Sequence, residues 1–186
     1  DEAFEAALAG LSAALDHVTF VGECGLDFAR QGEEEGRARQ LLAVSRQLEV
    51  ARARGRGSVL HCVRAHPALL ELLDERATPP CVLHGFSGSA ELADAYVRRG
   101  HFISFCGSVT LPNARKIRAA ARSVPDSMLL IETDSPDQTP VSRRPGPNEP
   151  AFLVDVAREV AALRQTDLAT LASLTYDNAL RAFGLS

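Results

Sequence analysis

The chain has 186 residues, of which 46% are hydrophobic and 24% are charged, enough apolar material for a single soluble globular domain. Its net charge of -4 argues against a broad basic surface, so any contact with nucleic acid has to be local. No apolar run approaches the roughly 18 residues of a membrane span, and the amino end is acidic and amphipathic, which together predict a cytoplasmic protein.

Strand-like and helix-like patterns alternate along the chain. A helix is predicted at Asp1 to Leu15, and about five βα units and carboxyl-terminal helices follow. The buried strands are predicted at Val18 to Gly22, Ser58 to Leu60, Cys81 to Leu83, Phe102 to Phe105 and Met128 to Ile131. This order favours an α/β fold with parallel strands, either a doubly wound sheet or part of a (β/α)8 barrel.

The helices are predicted from apolar residues that recur on one face. These stripes are Leu41, Val44 and Leu48; Leu69, Leu72 and Leu73; Leu92, Ala95 and Tyr96; and Phe152, Val156, Val160 and Leu163. Gly100 is typical of a helix stop, and Thr166 is predicted to cap the last helix. A loop is expected from Ser135 to Pro150.

The four cysteines stand singly in apolar runs, without the CxxC spacing that zinc or redox chemistry favours. We therefore expect reduced and mostly buried thiols. The residues concerned are Cys24, Cys62, Cys81 and Cys106.

A potential metal ligand follows four of the predicted strands: Glu23, His61, His84 and Asp134. Because parallel strands deliver their carboxyl ends to one face, these side chains are expected to converge. Two imidazoles and two carboxylates suit zinc, manganese or magnesium, as one ion or as two ions bridged by Glu23. Asp134 is predicted to act as a general base toward the attacking water.

Each of these residues also has a structural interpretation. Glu23 could pair with an arginine, and each histidine could be a core residue bonded to a backbone carbonyl. Asp134 could cap a turn before Pro136. The coincidence of four such residues at strand ends favours the metal site.

Other polar residues are weaker candidates. Phosphate contacts are predicted for Arg64 and Arg144, with Arg143 as a third candidate, and the alternative is that all three are solvated. His17 and His66 are expected at the surface, and His101 is expected to be structural. The sequence contains neither a Ser-His-Asp spacing nor a GxGxxG loop, which disfavours serine hydrolases and dinucleotide folds.

Four ordered blocks resemble the TatD family of metal-dependent deoxyribonucleases, among the amidohydrolase-like barrels. They are VGECGLDF at 21–28, LHC at 60–62, VLHGFSGS at 82–89 and LLIETDSP at 129–136, with NEP at 148–150 and residues 178–183 also similar to the family. The resemblance implies a (β/α)8 barrel with one or two divalent ions and phosphodiesterase activity on DNA. It also implies ligand roles for Glu23, His61, His84 and Asp134, with Glu23 and Asp134 taking part in catalysis.

The sequence departs from the family pattern at its amino end, where the family has about three further strands and an HxH pair. We therefore expect a single domain over residues 1–186 that lacks its first strands, so that its barrel is incomplete and has open edges. A longer chain, a partner or a decayed paralogue would each explain this. Val63 and Gly85 replace a usual arginine and cysteine, which affects substrate contacts more than metal binding.

Three functions follow from these observations. The leading one is a nuclease that trims DNA from an end by means of metal-activated water. The same ligands could instead serve hydrolysis of an amide or lactone, because a barrel hosts many chemistries. A non-catalytic partial barrel that acts as a binding subunit is the third.

Overall fold

The computed structural model describes residues 2–30 and 33–185 of the chain. Its contacts divide the chain into two compact units, Asp1–Val82 and Leu83–Ser186, here called the amino-terminal and carboxyl-terminal units. Both contain alternating strands and helices, as the sequence predicts. Within the described residues, no helix combines the length and apolar character that crossing a membrane requires.

The amino-terminal unit is built on two parallel strands flanked by helices. Its elements are α1 Glu2–Ala14, β1 Phe20–Asp27, α2 Glu34–Ala53, β2 Gly57–Val63 and α3 His66–Arg76. Leu26, Leu48, Leu60 and Leu69 are fully buried and form the centre of its core. The predicted stripe of α2 is confirmed at Val44 and Leu48, whereas Leu41 is only half-buried.

Strand β1 is longer than the sequence predicts, and it contains an irregularity. It pairs in parallel with β2, and its register shifts between Val21 and Cys24. Both of these residues are buried although they are three positions apart, so the ordinary alternation of faces is interrupted between them. Glu23 therefore lies inside β1 at the irregularity rather than after its end, which corrects the prediction of a strand ending at Gly22.

Close packing of β1 on β2 depends on glycine. Gly25 is opposite His61 in the parallel register. A Cβ atom at Gly25 would collide with the backbone of His61. Only glycine allows the two strands this approach, and it fixes the part of β1 that carries Glu23.

The carboxyl-terminal unit contains two further parallel strands and four long helices. Its elements are α4 Ala90–Val97, β4 Phe102–Phe105, α5 Arg115–Ser123, β5 Leu129–Ile131, α6 Leu153–Arg164 and α7 Leu168–Ala182, and the short β3 Val82–Leu83 spans the boundary between the units. Short 3-10 helices lie at Gly107–Thr110, Asp126–Met128, Val141–Arg143 and Pro150–Phe152. Strand β4 pairs in parallel with β5, with Ile103 opposite Leu129 and Phe105 opposite Ile131.

The core of this unit is aliphatic with an aromatic cluster. Ile103, Leu129, Val156 and Val160 are fully buried. Phe86 packs edge to face against Tyr96 and Phe105, at ring-centroid distances of 6.3 and 6.0 Å. The predicted stripe of α6 is confirmed at Val156, Val160 and Leu163, with Phe152 just before α6 rather than in it, and that of α3 is confirmed throughout. In α4 only Tyr96 of the predicted stripe is buried, and Ala93 is the second buried residue in place of Leu92 or Ala95.

Two further predictions need correction. The cap of α7 is Asp167, not Thr166, because the Asp167 carboxylate accepts from the backbone N–H of Thr170 at 2.8 Å. His66 is not a surface residue: it is 8% exposed at the start of α3. The helix predicted from Asp1 to Leu15 is α1, and Asp1 lies outside the described residues.

Candidate metal centre

The amino-terminal unit brings Glu23 and His61 together. His61 Nδ1 lies 3.4 Å from Glu23 Oε1. Two donors bound at about 2.1 Å to one tetrahedral ion are about 3.4 Å apart, so this spacing fits joint ligation. His61 is on β2 rather than after it, and both side chains are partly open to solvent, with exposed fractions of 36% and 50% for His61 and Glu23.

A second carboxylate, Asp27, lies on the other side of the His61 ring. Asp27 Oδ2 is 3.9 Å from His61 Nε2. Gln40 holds the Asp27 backbone, because its Oε1 accepts from Asp27 N at 2.7 Å and its Nε2 donates to Asp27 O at 3.0 Å. The sequence reasoning missed Asp27. Asp27 is the last residue of β1, so it follows the same rule of ligands at strand ends once the strand is known to continue past Gly22.

The carboxyl-terminal unit brings His84 and Asp134 together with a residue that the sequence reasoning passed over, Glu132. His84 follows β3 directly, and its Nδ1 lies 3.1 Å from Glu132 Oε1 and 4.0 Å from Asp134 Oδ1. Glu132 follows β5 directly, so the rule that ligands follow strands would have selected it before Asp134. His84 is thus placed beside two carboxylates.

Asp134 lies on a loop that a buried amide holds in place. Its φ is 60°, a left-handed conformation that non-glycine residues adopt mainly where the surroundings impose it. Asn148, 4% exposed, donates from Nδ2 to the carbonyls of Thr133 at 2.6 Å and Asp137 at 2.7 Å. Because these carbonyls flank Asp134, Asn148 fixes the position of the carboxylate.

The buried thiols are poor competitors for a metal. All four cysteines are free and buried, as predicted. Burial raises the pKa of Cys24 to about 12, with smaller contributions from Cys81 and the Glu23 carboxylate. Burial also raises the pKa of Cys106, although hydrogen bonding with Ser108 opposes the effect. Since the thiolate is the form that ligates metals, the donors here are nitrogen and oxygen, which suits zinc, manganese or magnesium.

The three arginines proposed to hold phosphate lie in different surroundings. Arg64 is exposed directly after β2 with a φ of 55°. Arg143 donates to Asp155 at 2.8 Å and its guanidinium lies 4.7 Å from the centre of the Phe152 ring. Arg144 is exposed, and its Nε donates to the Thr139 carbonyl at 3.0 Å.

The remaining histidines lie apart from these groups of ligands. His17 is exposed, as predicted. His101 is 3% exposed and packs against the Tyr96 ring at 6.5 Å, in agreement with a structural role. His66 is buried, and this burial lowers its pKa.

Comparison with known proteins identifies the class. The family model described as TatD related DNase matches residues 1–184, and the chain belongs to this family. An uncharacterised metal-dependent hydrolase of Escherichia coli K12, YcfH, is 37% identical over 173 residues, which cover 92% of this chain and 64% of YcfH. The 3'-5' ssDNA/RNA exonuclease TatD of Musicola paradisiaca is 37% identical over 177 residues, covering 90% of this chain and 66% of the relative.

Solved structures agree with this assignment. The crystal structure of YjjV, a TatD homologue from Escherichia coli K12, matches with a TM-score of 0.89 and 31% identity over 97% of this chain and 71% of its own. A TatD-family hydrolase of Entamoeba histolytica, at 19% identity and a TM-score of 0.80, shares the fold. The α/β fold class and the resemblance to TatD proteins are therefore confirmed. The chain spans about two thirds of the length of these relatives.

Proposed function

We propose that this chain serves a divalent-metal-dependent hydrolase that cleaves phosphodiester bonds, with DNA as its substrate. The observation that carries the proposal is the pairing of an imidazole with a carboxylate in each unit of a TatD-family chain. His61 pairs with Glu23 in the amino-terminal unit, and His84 lies beside Asp134 in the carboxyl-terminal unit. Such nitrogen and oxygen donors are those that zinc and manganese prefer.

The proposed ligands are Glu23, His61, His84 and Asp134. A divalent cation held by either pair, Glu23 with His61 or His84 with Asp134, would supply a nucleophile at neutral pH by lowering the pKa of water. The carboxylate of Asp134 would accept the proton from that water, because Asn148 holds its loop at a fixed place. Glu23 lies on the β1 irregularity next to His61, where it would orient the reacting groups.

Substrate contacts are proposed for two exposed arginines, Arg64 and Arg144. Their planar guanidinium groups can each donate two hydrogen bonds to one phosphate. Such local contacts agree with a chain whose net charge is -4, because a net negative charge does not favour a broad basic face. A cytoplasmic location remains part of the proposal.

A nucleic acid is favoured among phosphodiesters by the names of relatives, and DNA is the substrate that the motif resemblance implies. Proteins 36–37% identical to this chain are named 3'-5' ssDNA/RNA exonuclease TatD. End trimming of a single strand is therefore the first activity to test. Hydrolysis of an amide or a lactone remains the competing reaction, because the same donors can activate water for either.

The test compares a 3'-labelled oligonucleotide with amide and lactone substrates, in the presence of Mn²⁺, Mg²⁺ or Zn²⁺. We expect metal-dependent loss of nucleotides from the end, and a decrease of about 100-fold or more in rate for Asp134→Asn. Glu23→Gln should lose activity as well. Asp177→Asn, an exposed change on α7, serves as the control and should keep the wild-type rate.

Nuclease activity that survives both substitutions would contradict the proposal. If only the amide or the lactone substrate is turned over, DNA is not the substrate, and the proposal of a metal-dependent hydrolase still holds.

A further inference from the structure

We infer that Glu132 is a positioning residue that holds the neutral His84 imidazole with its proton on Nδ1. This inference rests on the proposed metal-dependent function and assigns to Glu132 a role distinct from that of Asp134. Its basis is a network that joins the ends of β3, β4 and β5 through a single carboxylate.

Both oxygens of Glu132 are engaged by the protein. Oε1 lies 3.1 Å from His84 Nδ1 and accepts from the backbone N–H of Gly85 at 2.6 Å. Oε2 accepts from the Ser104 hydroxyl at 2.5 Å. A carboxylate with three such partners is held in one orientation, so Glu132 serves the imidazole rather than acting as a further metal ligand.

The same three strands hold the partners of Glu132 in register. Ser104 is on β4 and is 2% exposed. Its backbone carbonyl accepts from Phe86 N at 2.9 Å, and the neighbouring Phe105 carbonyl accepts from Glu132 N at 3.0 Å. The segments that carry His84 and Glu132 are therefore both tied to the backbone of β4, which holds the Glu132 carboxylate where it meets the imidazole.

The tautomer follows from the chemistry of the contact. A carboxylate oxygen can only accept, so Nδ1 must donate and must carry the proton of the neutral ring. The lone pair then lies on Nε2, which becomes the metal-binding nitrogen. A carboxylate on the distant nitrogen also makes the ligating nitrogen more basic, which strengthens its bond to a metal.

The first test measures the tautomer directly in the metal-free protein. A long-range ¹H–¹⁵N correlation spectrum at about pH 8, above the ordinary histidine pKa, distinguishes the protonated nitrogen of His84 from the unprotonated one. We expect the Nδ1–H form in the wild-type protein. Observation of the Nε2–H form would overturn the inference, whatever the behaviour of the variants.

The second test measures affinity for Mn²⁺ and Zn²⁺ by calorimetry. Glu132→Gln keeps the size and the acceptor oxygen but removes the charge, and we expect it to weaken binding by about 10- to 100-fold. Asp177→Asn also removes one carboxylate of the same unit, from the exposed face of α7, and should leave the affinity unchanged. A folded Glu132→Gln protein with wild-type affinity would overturn the inference.

The two measurements separate this inference from the proposed function. A wild-type protein with the Nδ1–H tautomer that binds no divalent ion would contradict the proposed function and leave the role of Glu132 toward the His84 tautomer intact. If the metal-free protein carries the His84 proton on Nε2 and still binds a divalent ion, the inferred role of Glu132 is wrong and the proposed function is left intact.

Discussion

Glu132 and Asp134 are two carboxylates only two residues apart, yet the structure places them in different chemical situations. Glu132 is fixed by Ser104, Gly85 and His84. Asp134 lies in a loop and has a left-handed backbone conformation, and its Oδ1 is 4.0 Å from His84 Nδ1. Surroundings rather than residue type therefore support different proposed roles for the two carboxylates, Glu132 in orienting His84 and Asp134 in catalysis.

His66 shows how a single buried imidazole affects stability. Burial lowers its pKa from the ordinary value of 6.5. Between the lowered pKa and 6.5 the unfolded chain binds the proton more readily than the folded chain. The contribution to stability is therefore complete above pH 6.5 and is lost as pH falls toward the pKa of the folded state.

We predict that His66→Gln makes stability less sensitive to mild acid. Between about pH 8 and about pH 5.5, a range that brackets the ordinary histidine pKa, the wild-type free energy of unfolding should fall more steeply than that of the variant. Urea denaturation at several pH values measures both. His17→Gln is the control, since His17 is exposed. Parallel pH profiles for wild type and His66→Gln would rule out this role.

At the scale of elements, the loop after β5 owes its shape to Asn148. The side-chain amide of Asn148 donates to two carbonyls on either side of Asp134, and the backbone N–H of Asn148 donates to the Pro136 carbonyl at 3.0 Å. A loop of this kind is rigid because its backbone groups are bonded to a side chain inside the protein.

We predict that Asn148→Ala destabilises the protein by about 1–3 kcal/mol, because two partly buried hydrogen bonds to the carbonyls of Thr133 and Asp137 are lost. Metal affinity should fall as well, since the Asp134 loop becomes looser. Urea denaturation and calorimetry measure the two effects. Asn113→Ala, at an exposed asparagine, should stay within about 0.5 kcal/mol of wild type, and an equally small change for Asn148→Ala would contradict the role of the amide.

The bounds of a strand could be predicted from the sequence where the strand is short and all of its residues are buried. All four residues of β4 are buried, and its predicted bounds, Phe102 to Phe105, agree with the structure. Strand β1 was misjudged because FVGECGLD has no apolar run, and its inner face resumes at Cys24 only after the irregularity. A pattern with period two cannot show such an interruption.

The four proposed ligands could be selected from the sequence because each stands on or just after a strand. The roles of the supporting residues could not be predicted in this way. Glu132 contacts residues 28 and 48 positions away, and Gln40 contacts Asp27 from a helix 13 positions away. Such contacts depend on the packing of distant segments, which residue patterns along the chain do not contain.

At the scale of the whole molecule, the chain provides one histidine–carboxylate group from each of its two units. Strands that are far apart in sequence supply these groups, as expected of parallel α/β folds. The TatD-family relatives are longer than this chain, which spans 64% of YcfH. The proposed function requires that both groups bind metal.

The most direct measurement is the metal content and metal affinity of the purified protein, by elemental analysis and calorimetry, for wild type, His61→Ala and Asp134→Ala. Each variant removes a ligand from a different unit. We expect near-stoichiometric metal in the wild type and a loss of affinity of at least about 10-fold in each variant. A folded wild-type protein without metal, or two variants that bind as wild type does, would contradict the account.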